Sequence, residues 1–256
     1  MIEHINKDSS KDGITYLSQV DQSFDQLYTQ VLKKEKRLYP DDEIKLLPYA
    51  SERNPHKSEW ELRTKTFLRF RDYLSTKNTK LNILEVGCGN GWLIGQLAKE
   101  FDHNYFGIDT TLIELLQADK LFTRDNIKFI YGDISKAALP TDTFNIVILN
   151  STIQYFKEIG VLLKELLTIS KSYGEIHILD TPFYLQNDLM QIKNSSLKHF
   201  SSIGIPEMAN KYFHHTLDEL KYFRTVLKYN PLLFKNKISD LIFEKDSPYP
   251  WIIITR

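Results

Sequence analysis

The chain of 256 residues contains a single cysteine, Cys88. Without a second thiol no intrachain disulfide can form and no cysteine-rich zinc site can be assembled. An excess of one charge is also missing. Lys plus Arg number 33 and Asp plus Glu number 33, a formal net charge of 0. That balance supplies no whole-molecule field for drawing in nucleic acid, although a local patch stays open. No apolar run approaches the roughly 20 residues that span a bilayer. The opening residues, MIEHINKDSSKDG, are polar and lack the apolar core of a signal peptide. The expectation is a soluble cytoplasmic protein, monomer or homodimer, with no membrane partner and no metal site. Repeats and low-complexity stretches are absent from the sequence as well. What remains is ordinary globular material, 42% hydrophobic and 26% charged, close to the usage of folded domains. With 14 Tyr and 15 Phe the chain is somewhat aromatic, which suits core packing or an aromatic-lined pocket.

The order of patterns divides the chain. Residues 1–13 read as frayed. Between Asp21 and Lys36 the residues Phe24, Leu27, Tyr28, Val31 and Leu32 recur at helical spacing. The next stretch, YPDDEIKLLPYASERNPHK, carries three prolines and reads as a connection. Ser58 opens SEWE, a Ser-x-x-Glu capping box, before a helix to about Leu74. From residue 81 strands and helices alternate: LNILEVG, then a helix over Trp92–Glu100, NYFGID, a helix opened by the box TLIE, IKFIYGD, FNIVILN, a helix over Ile159–Ser170, and GEIHILDT. This alternation predicts a doubly wound α/β sheet, with every parallel strand ending on one ligand-binding edge. After Pro182 no long periodic run is visible over 183–215. TLDE (Thr216 to Glu219) is a third capping box, read as opening a helix to about Leu227, and Trp251–Thr255 reads as a last strand.

The stretch LEVGCGNGW, residues 84–92, sets glycines at 87, 89 and 91 behind the first of these strands. A phosphate-cradling P-loop needs a Lys-Ser or Lys-Thr pair, and Trp92 and Leu93 stand there instead. A dinucleotide fingerprint needs a third glycine where Trp92 stands. What is left, Glu85-x-Gly87-x-Gly89-x-Gly91, resembles the first motif of the class I S-adenosylmethionine-dependent methyltransferases. FIYGDI, FNIVILNSTIQYF and GEIHILDTPF follow in order and resemble segments of their type-11 group, over roughly residues 80–182.

The resemblance implies a Rossmann-like methyltransferase fold with a mostly parallel, seven-stranded sheet. It implies an N-terminal helical appendage or lid over 1–79 and a methyltransferase domain over 80–256, with 183–215 inserted after strand five to cover the acceptor. The cofactor it implies is S-adenosyl-L-methionine, which has no phosphate. By resemblance Glu85 serves the loop and the methionyl amino group, and Asp109 the ribose hydroxyls. Asp133 and Ile134 would meet the adenine, and Asn150 the methionyl part, with Cys88 and Thr110 nearby. Each has a plain structural use too: Asp109 as a cap for Thr110–Thr111, Asp133 and Asn150 as turn residues, Cys88 as a small inert side chain. Methyl transfer from a sulfonium is an in-line displacement that needs a base only where the acceptor must lose a proton. His199, His214 and His215 are the candidates for one, against a plain surface role. Gln154 departs from the group, where His is frequent, and no base is carried over there. Tyr49, Arg53, Trp60, Arg63, Gln154 and Tyr155 are candidates for lining a lid or acceptor pocket, with helix packing as the alternative. NSTIQ stands where amino-directed nucleic-acid methyltransferases carry Asn-Pro-Pro-Tyr. The expected partner is therefore a small-molecule acceptor, with protein or RNA methylation second and a non-catalytic cofactor-binding scaffold as the reading from another class.

Overall fold

The apolar strands after residue 81 assemble side by side because their two faces are both covered by helices. The computed structural model describes residues 10–11, 13–232 and 246–256. The fraying expected over 1–9 and at 12 lies outside the described residues. In chain order the sheet strands are β1 (Ser10–Lys11), β2 (Ile14–Tyr16), β3 (Asn82–Val86), β4 (Asn104–Asp109), β5 (Ile127–Tyr131), β6 (Phe144–Asn150), β7 (Ser170–Leu179), β8 (Arg224–Tyr229) and β9 (Trp251–Thr255). The α-helices are α1 (Gln22–Lys34), α2 (Asp41–Leu46), α3 (Lys57–Leu74), α4 (Trp92–Glu100), α5 (Leu112–Phe122), α6 (Ile159–Ile169) and α7 (Leu189–Ser202). The spatial order is β1-β2-β5-β4-β3-β6-β7-β9-β8. Strands β2, β5, β4, β3, β6 and β7 run parallel; β9 and β8 complete one edge antiparallel, and β1 pairs antiparallel with β2 at the other. The seven expected strands are thus present, and the short β1–β2 hairpin extends the sheet by two.

Strand β6 shows why the run FNIVILN is nearly all apolar. Its residues Ile146 to Leu149 are buried, and they contribute alternately to an apolar cluster on each face of the sheet. One cluster joins Ile83, Tyr105 and Ile146 to Trp60, Phe67 and Phe70 of α3, so the N-terminal helices share a continuous core with the sheet. A third, smaller cluster ties Val31 of α1 to Phe200, Ile205 and Met208 of the segment after β7.

Local patterns misled at five places. The proline-rich connection contains α2: Pro40 precedes it, and Asp41, Asp42 and Glu43 occupy the first turn, where negative charge suits the helix dipole. Helix α3 begins at Lys57 rather than behind a Ser58 cap, with His56 at its N-cap and no side-chain capping bond. Thr111 does stand at the N-cap of α5, yet its hydroxyl makes no cap bond, and the side chain of Glu114 is buried rather than returned to the cap. The box at Thr216 and Glu219 forms, but it opens a single 3-10 turn, Leu217–Leu220, not a helix to Leu227. The β-branched and aromatic residues of Arg224–Tyr229 pair with β9 instead. Finally, the segment expected to lack periodic structure holds α7, a 14-residue helix anchored by buried Phe200.

Candidate active site

The C-terminal ends of β5, β4, β3, β6 and β7 open onto a cavity of ≈ 950 Å³. Its floor is the turn after β3. Gly87 and Gly89 have φ of +71° and +50°, in the left-handed region that glycine adopts without strain. A Cβ on Gly87 would lie 2.5 Å from the Thr152 side chain, so the turn also needs glycine to pass under the β6 loop. Gly91 stands at the N-cap of α4 and does not itself reach the cavity. Trp92, which excluded the dinucleotide pattern, packs edge-on against Trp60 at 5.2 Å, fastening the glycine turn to α3.

Of the residues the sequence singled out for the cofactor, Glu85, Gly87, Cys88, Gly89, Asp109, Thr110, Asp133, Ile134 and Asn150 all line this cavity. Asp109 accepts from the Gly89 amide at 2.8 Å and from the Thr111 amide at 2.7 Å, so it holds both the glycine turn and the residue that leads into α5. Burial raises its carboxyl above the ordinary range, and those amides pull it back. Glu85 is 2% exposed, and burial followed by the Asp109 charge pushes its proton affinity well up. Its Oε2 and the Oδ1 of Asn150 are buried without a hydrogen-bond partner. Asp133 accepts from Ser135 N at 3.0 Å and pairs with Lys136 at 3.0 Å, and its own amide meets Ser18 Oγ at 2.8 Å. Cys88 packs against Gly107, and burial drives its thiol well up, which leaves it unreactive.

The opposite wall is aromatic and ionic. Tyr155 meets Phe24, Tyr28 and Tyr212 edge-on, at 5.8, 5.3 and 5.8 Å. Burial pushes its phenol up to about 12. Glu59 takes Arg37 at 2.7 Å and Arg63 at 2.8 Å. Burial would raise Glu59, but the two guanidiniums overcome it and hold the carboxyl at about 2. Arg63 also lies over the Trp60 ring at 5.0 Å, so both line the wall. Asp180, at the end of β7, accepts from Thr66 Oγ1 at 2.6 Å, and burial lifts its carboxyl to about 6 against the pull of Arg63.

Several expectations fail on geometry. His215 has both ring nitrogens engaged, Nδ1 with Glu219 at 2.9 Å and Nε2 with the Ile153 carbonyl at 3.1 Å, so it holds loops together and cannot serve as a base. His214 lies outside the cavity lining, with Nε2 on Ser196 Oγ at 2.8 Å. His199 does reach the cavity, although it is half exposed and bound to Glu35 at 2.6 Å. Tyr49 is 55% exposed on the outer side of Phe67, and Arg53 is exposed; neither lines the cavity. Gln154 does line it, with its amide nitrogen on the Ser151 carbonyl at 2.6 Å. The sequence reading passes over Glu114, Asp180, Arg37, Glu59 and Tyr28. One signal was available for Asp180: LDT repeats, at the end of β7, the IDT that ends β4.

The loop end of the cavity suits a nucleoside without phosphate. Among the described residues the cavity there offers carboxyl groups and no lysine or arginine at the glycine turn to hold a phosphate, while the bare acceptors on Glu85 and Asn150 match ammonium and hydroxyl donors. Glycine turn, strand-end carboxylates and strand order together form the Rossmann-like fold of the class I methyltransferases. The chain belongs to the methyltransferase-domain family, whose profile it matches over residues 77–230. It is 31% identical over 102 residues to the malonyl-[acyl-carrier protein] O-methyltransferase of Priestia megaterium, covering 39% of this chain and 36% of that one. The match therefore spans little more than a third of that relative's length. The enzyme of the same name from Calditerrivibrio nitroreducens is 24% identical over 173 residues, 64% of this chain and 67% of its own. Among solved structures, the plantazolicin methyltransferase BpumL, in complex with a pentazolic desmethylPZN analog and SAH, shares the fold at a TM-score of 0.50. It is 18% identical, and the match covers 93% of this chain and 100% of that one. Among the described residues no helix is long and apolar enough to cross a membrane.

Proposed function

We propose that this methyltransferase binds S-adenosylmethionine along the β5–β4–β3–β6 edge and methylates a small-molecule nucleophile held in the remainder of the same cavity. Asp133 and Ile134 take the adenine end, Asp109 the ribose, and Glu85 with Asn150 the methionyl end. The observation that carries the reading is the continuity of one ≈ 950 Å³ cavity from the glycine turn to the wall of Tyr28, Tyr155 and Tyr212. That volume lies within the range of small-molecule sites, about 300–1,000 Å³. Residues 13–79 and 183–215 act as covers in this reading: Tyr28 of α1 and Tyr212 beyond α7 close the acceptor side. The bound cofactor supplies an electrophilic methyl group. The chain's own contribution is to hold the acceptor in line and keep water away.

Calorimetry with S-adenosylhomocysteine tests the cofactor half. Binding is expected, and Asp109→Ala should weaken it at least tenfold, since each hydrogen bond to a charged group contributes about 1.5–3 kcal/mol. Unchanged affinity in a folded variant would remove Asp109 from the ribose site. For the acceptor half, labelled S-adenosylmethionine is supplied with a fractionated cell extract, and label is expected among small molecules. Label on a carrier protein would shift the reading to a carrier-linked acyl acceptor, the substrate named for the Priestia relative.

A further inference from the structure

The two oxygens of Asp109 are not the only carboxyl oxygens at the glycine turn. A Cβ placed on Gly89 would lie 3.3 Å from Glu114 Oε1 and 3.4 Å from Oε2, while the amide of the same glycine donates to Asp109 Oδ2 at 2.8 Å. Two carboxyl groups thus flank one residue, Asp109 from β4 and Glu114 from the first turn of α5. Glu114 is only 7% exposed, and what remains open faces the cavity. Among the described residues, only burial and the charges of Asp109 and Asp25 act on it, with no hydrogen bond. A buried carboxyl without a partner destabilises the free protein, so a ligand group that satisfies it regains that free energy on binding.

We propose that Glu114 is a second carboxyl ligand, beside Asp109, for the ribose hydroxyls of the bound nucleoside; this rests on the cofactor reading above. The chemistry of a vicinal diol fits such a pair. Each hydroxyl offers one donor and two lone pairs. Asp109 as an anion can only accept, and each of its oxygens already takes one backbone N–H. Glu114, lifted to about 8, keeps its proton near neutrality and adds a donor as well as an acceptor. Among the described residues no cation acts on Glu114. The groups coupled to Glu114 are Asp109 and Asp25, with Tyr28 and Cys88 beside them, and both of these hold their own protons through burial.

The test is calorimetric binding of S-adenosylhomocysteine to the wild type, Glu114→Gln and Glu114→Ala, with thermal unfolding of each free protein. Wild-type affinity is expected to fall about tenfold from about pH 7 to about pH 9 as the Glu114 proton is lost. Glu114→Gln keeps a donor and an acceptor, so it should bind near neutrality as the wild type does and not show that fall. The ligand's own amino group titrates equally in both, and the difference between their profiles isolates Glu114. Glu114→Ala should bind about tenfold more weakly, as expected for one lost hydrogen bond to a carboxyl group, while unfolding at a temperature no lower than the wild type. Equal affinity in wild type and Glu114→Ala, or parallel pH profiles in wild type and Glu114→Gln, would overturn the inference and leave the cofactor site standing. Should Glu114→Ala fail to fold, the Glu114→Gln profile decides alone. No binding by the wild type would instead overturn the reading on which the inference rests.

Discussion

Asp109 and Asp180 end two parallel strands in the same way, each followed by a threonine, yet they meet different neighbours. Two backbone amides hold Asp109. Asp180 has one hydroxyl, from Thr66, and a left-handed φ of +45°, a conformation uncommon outside glycine. Burial lifts its carboxyl to about 6 in the fold, against the ordinary 3.8. The folded state therefore binds the proton more tightly than the unfolded chain does. Stability falls as pH rises from 3.8 through 6 and is lowest above that, by about 3 kcal/mol at most. Asp180→Asn should unfold at a higher temperature than wild type near pH 8, and the gap should close toward pH 4. A constant gap in thermal melts across that range would show that Asp180 is not the titrating group. At this scale the sequence is legible where a residue belongs to a pattern. Glu85, the glycines and Asp109 announce themselves by spacing. Glu114 does not, because it also fits a capping box, and only the tertiary fold decides whether a first-turn glutamate turns back to the cap or into the interior. His214 and His215 fail for the same reason, since nothing local shows that they lie outside the cavity or that His215 has both nitrogens occupied.

Helix α3 shows what an element adds. It carries Glu59, Trp60, Arg63 and Thr66 in successive turns, so one face supplies the ion pair, the aromatic wall and the hydroxyl on Asp180. Trp60 is 4% exposed, donates to Tyr39 Oη at 3.1 Å and packs on Trp92. Trp60→Ala should cost about 3–5 kcal/mol, the usual range for a buried large aromatic. Tyr49→Ala, on the exposed side, should change stability by no more than about 0.5 kcal/mol. Urea unfolding of both variants checks the contrast, and equal losses would contradict the packing described. Elements with long apolar periodicity, such as Trp92–Glu100 and Phe144–Asn150, match their expected bounds residue for residue. Helices α2 and α7 escape notice because neither shows such a stripe. One is only six residues long with an acidic first turn, and the other buries only Phe200.

Across the whole molecule, Asp133, Asp109, the glycine turn, Asn150 and Asp180 stand in one row, at the ends of β5, β4, β3, β6 and β7. Four gaps between strands at about 4.8 Å make that row roughly 19 Å long. A cofactor lying along its β5–β4–β3–β6 part would touch four strand ends at once, so its binding is expected to stabilise the parallel strands more than the β8 edge. Excess S-adenosylhomocysteine at about a hundred times its Kd should add about 2.7 kcal/mol. Hydrogen exchange should slow at the turn after β3, the β4–α5 junction and α1, and stay unchanged in β8. Protection confined to β8 and β9 would place the ligand at the wrong edge. The alternation of strands with helices makes this layout legible from sequence, whereas the extra hairpin at the β5 edge was not, because strands of two and three residues carry no pattern.

The edge-on pair of Trp60 and Trp92 makes the protein its own optical reporter. Two of its three indoles line the cavity, and the third, Trp251, is packed among Phe70, Tyr73 and His177 at the far side of β7. Intrinsic emission should therefore shift when the cavity fills and its water leaves. Replacing Trp251 with phenylalanine would darken the background and leave a two-indole signal that follows occupancy in real time, without a label and before any acceptor has been identified.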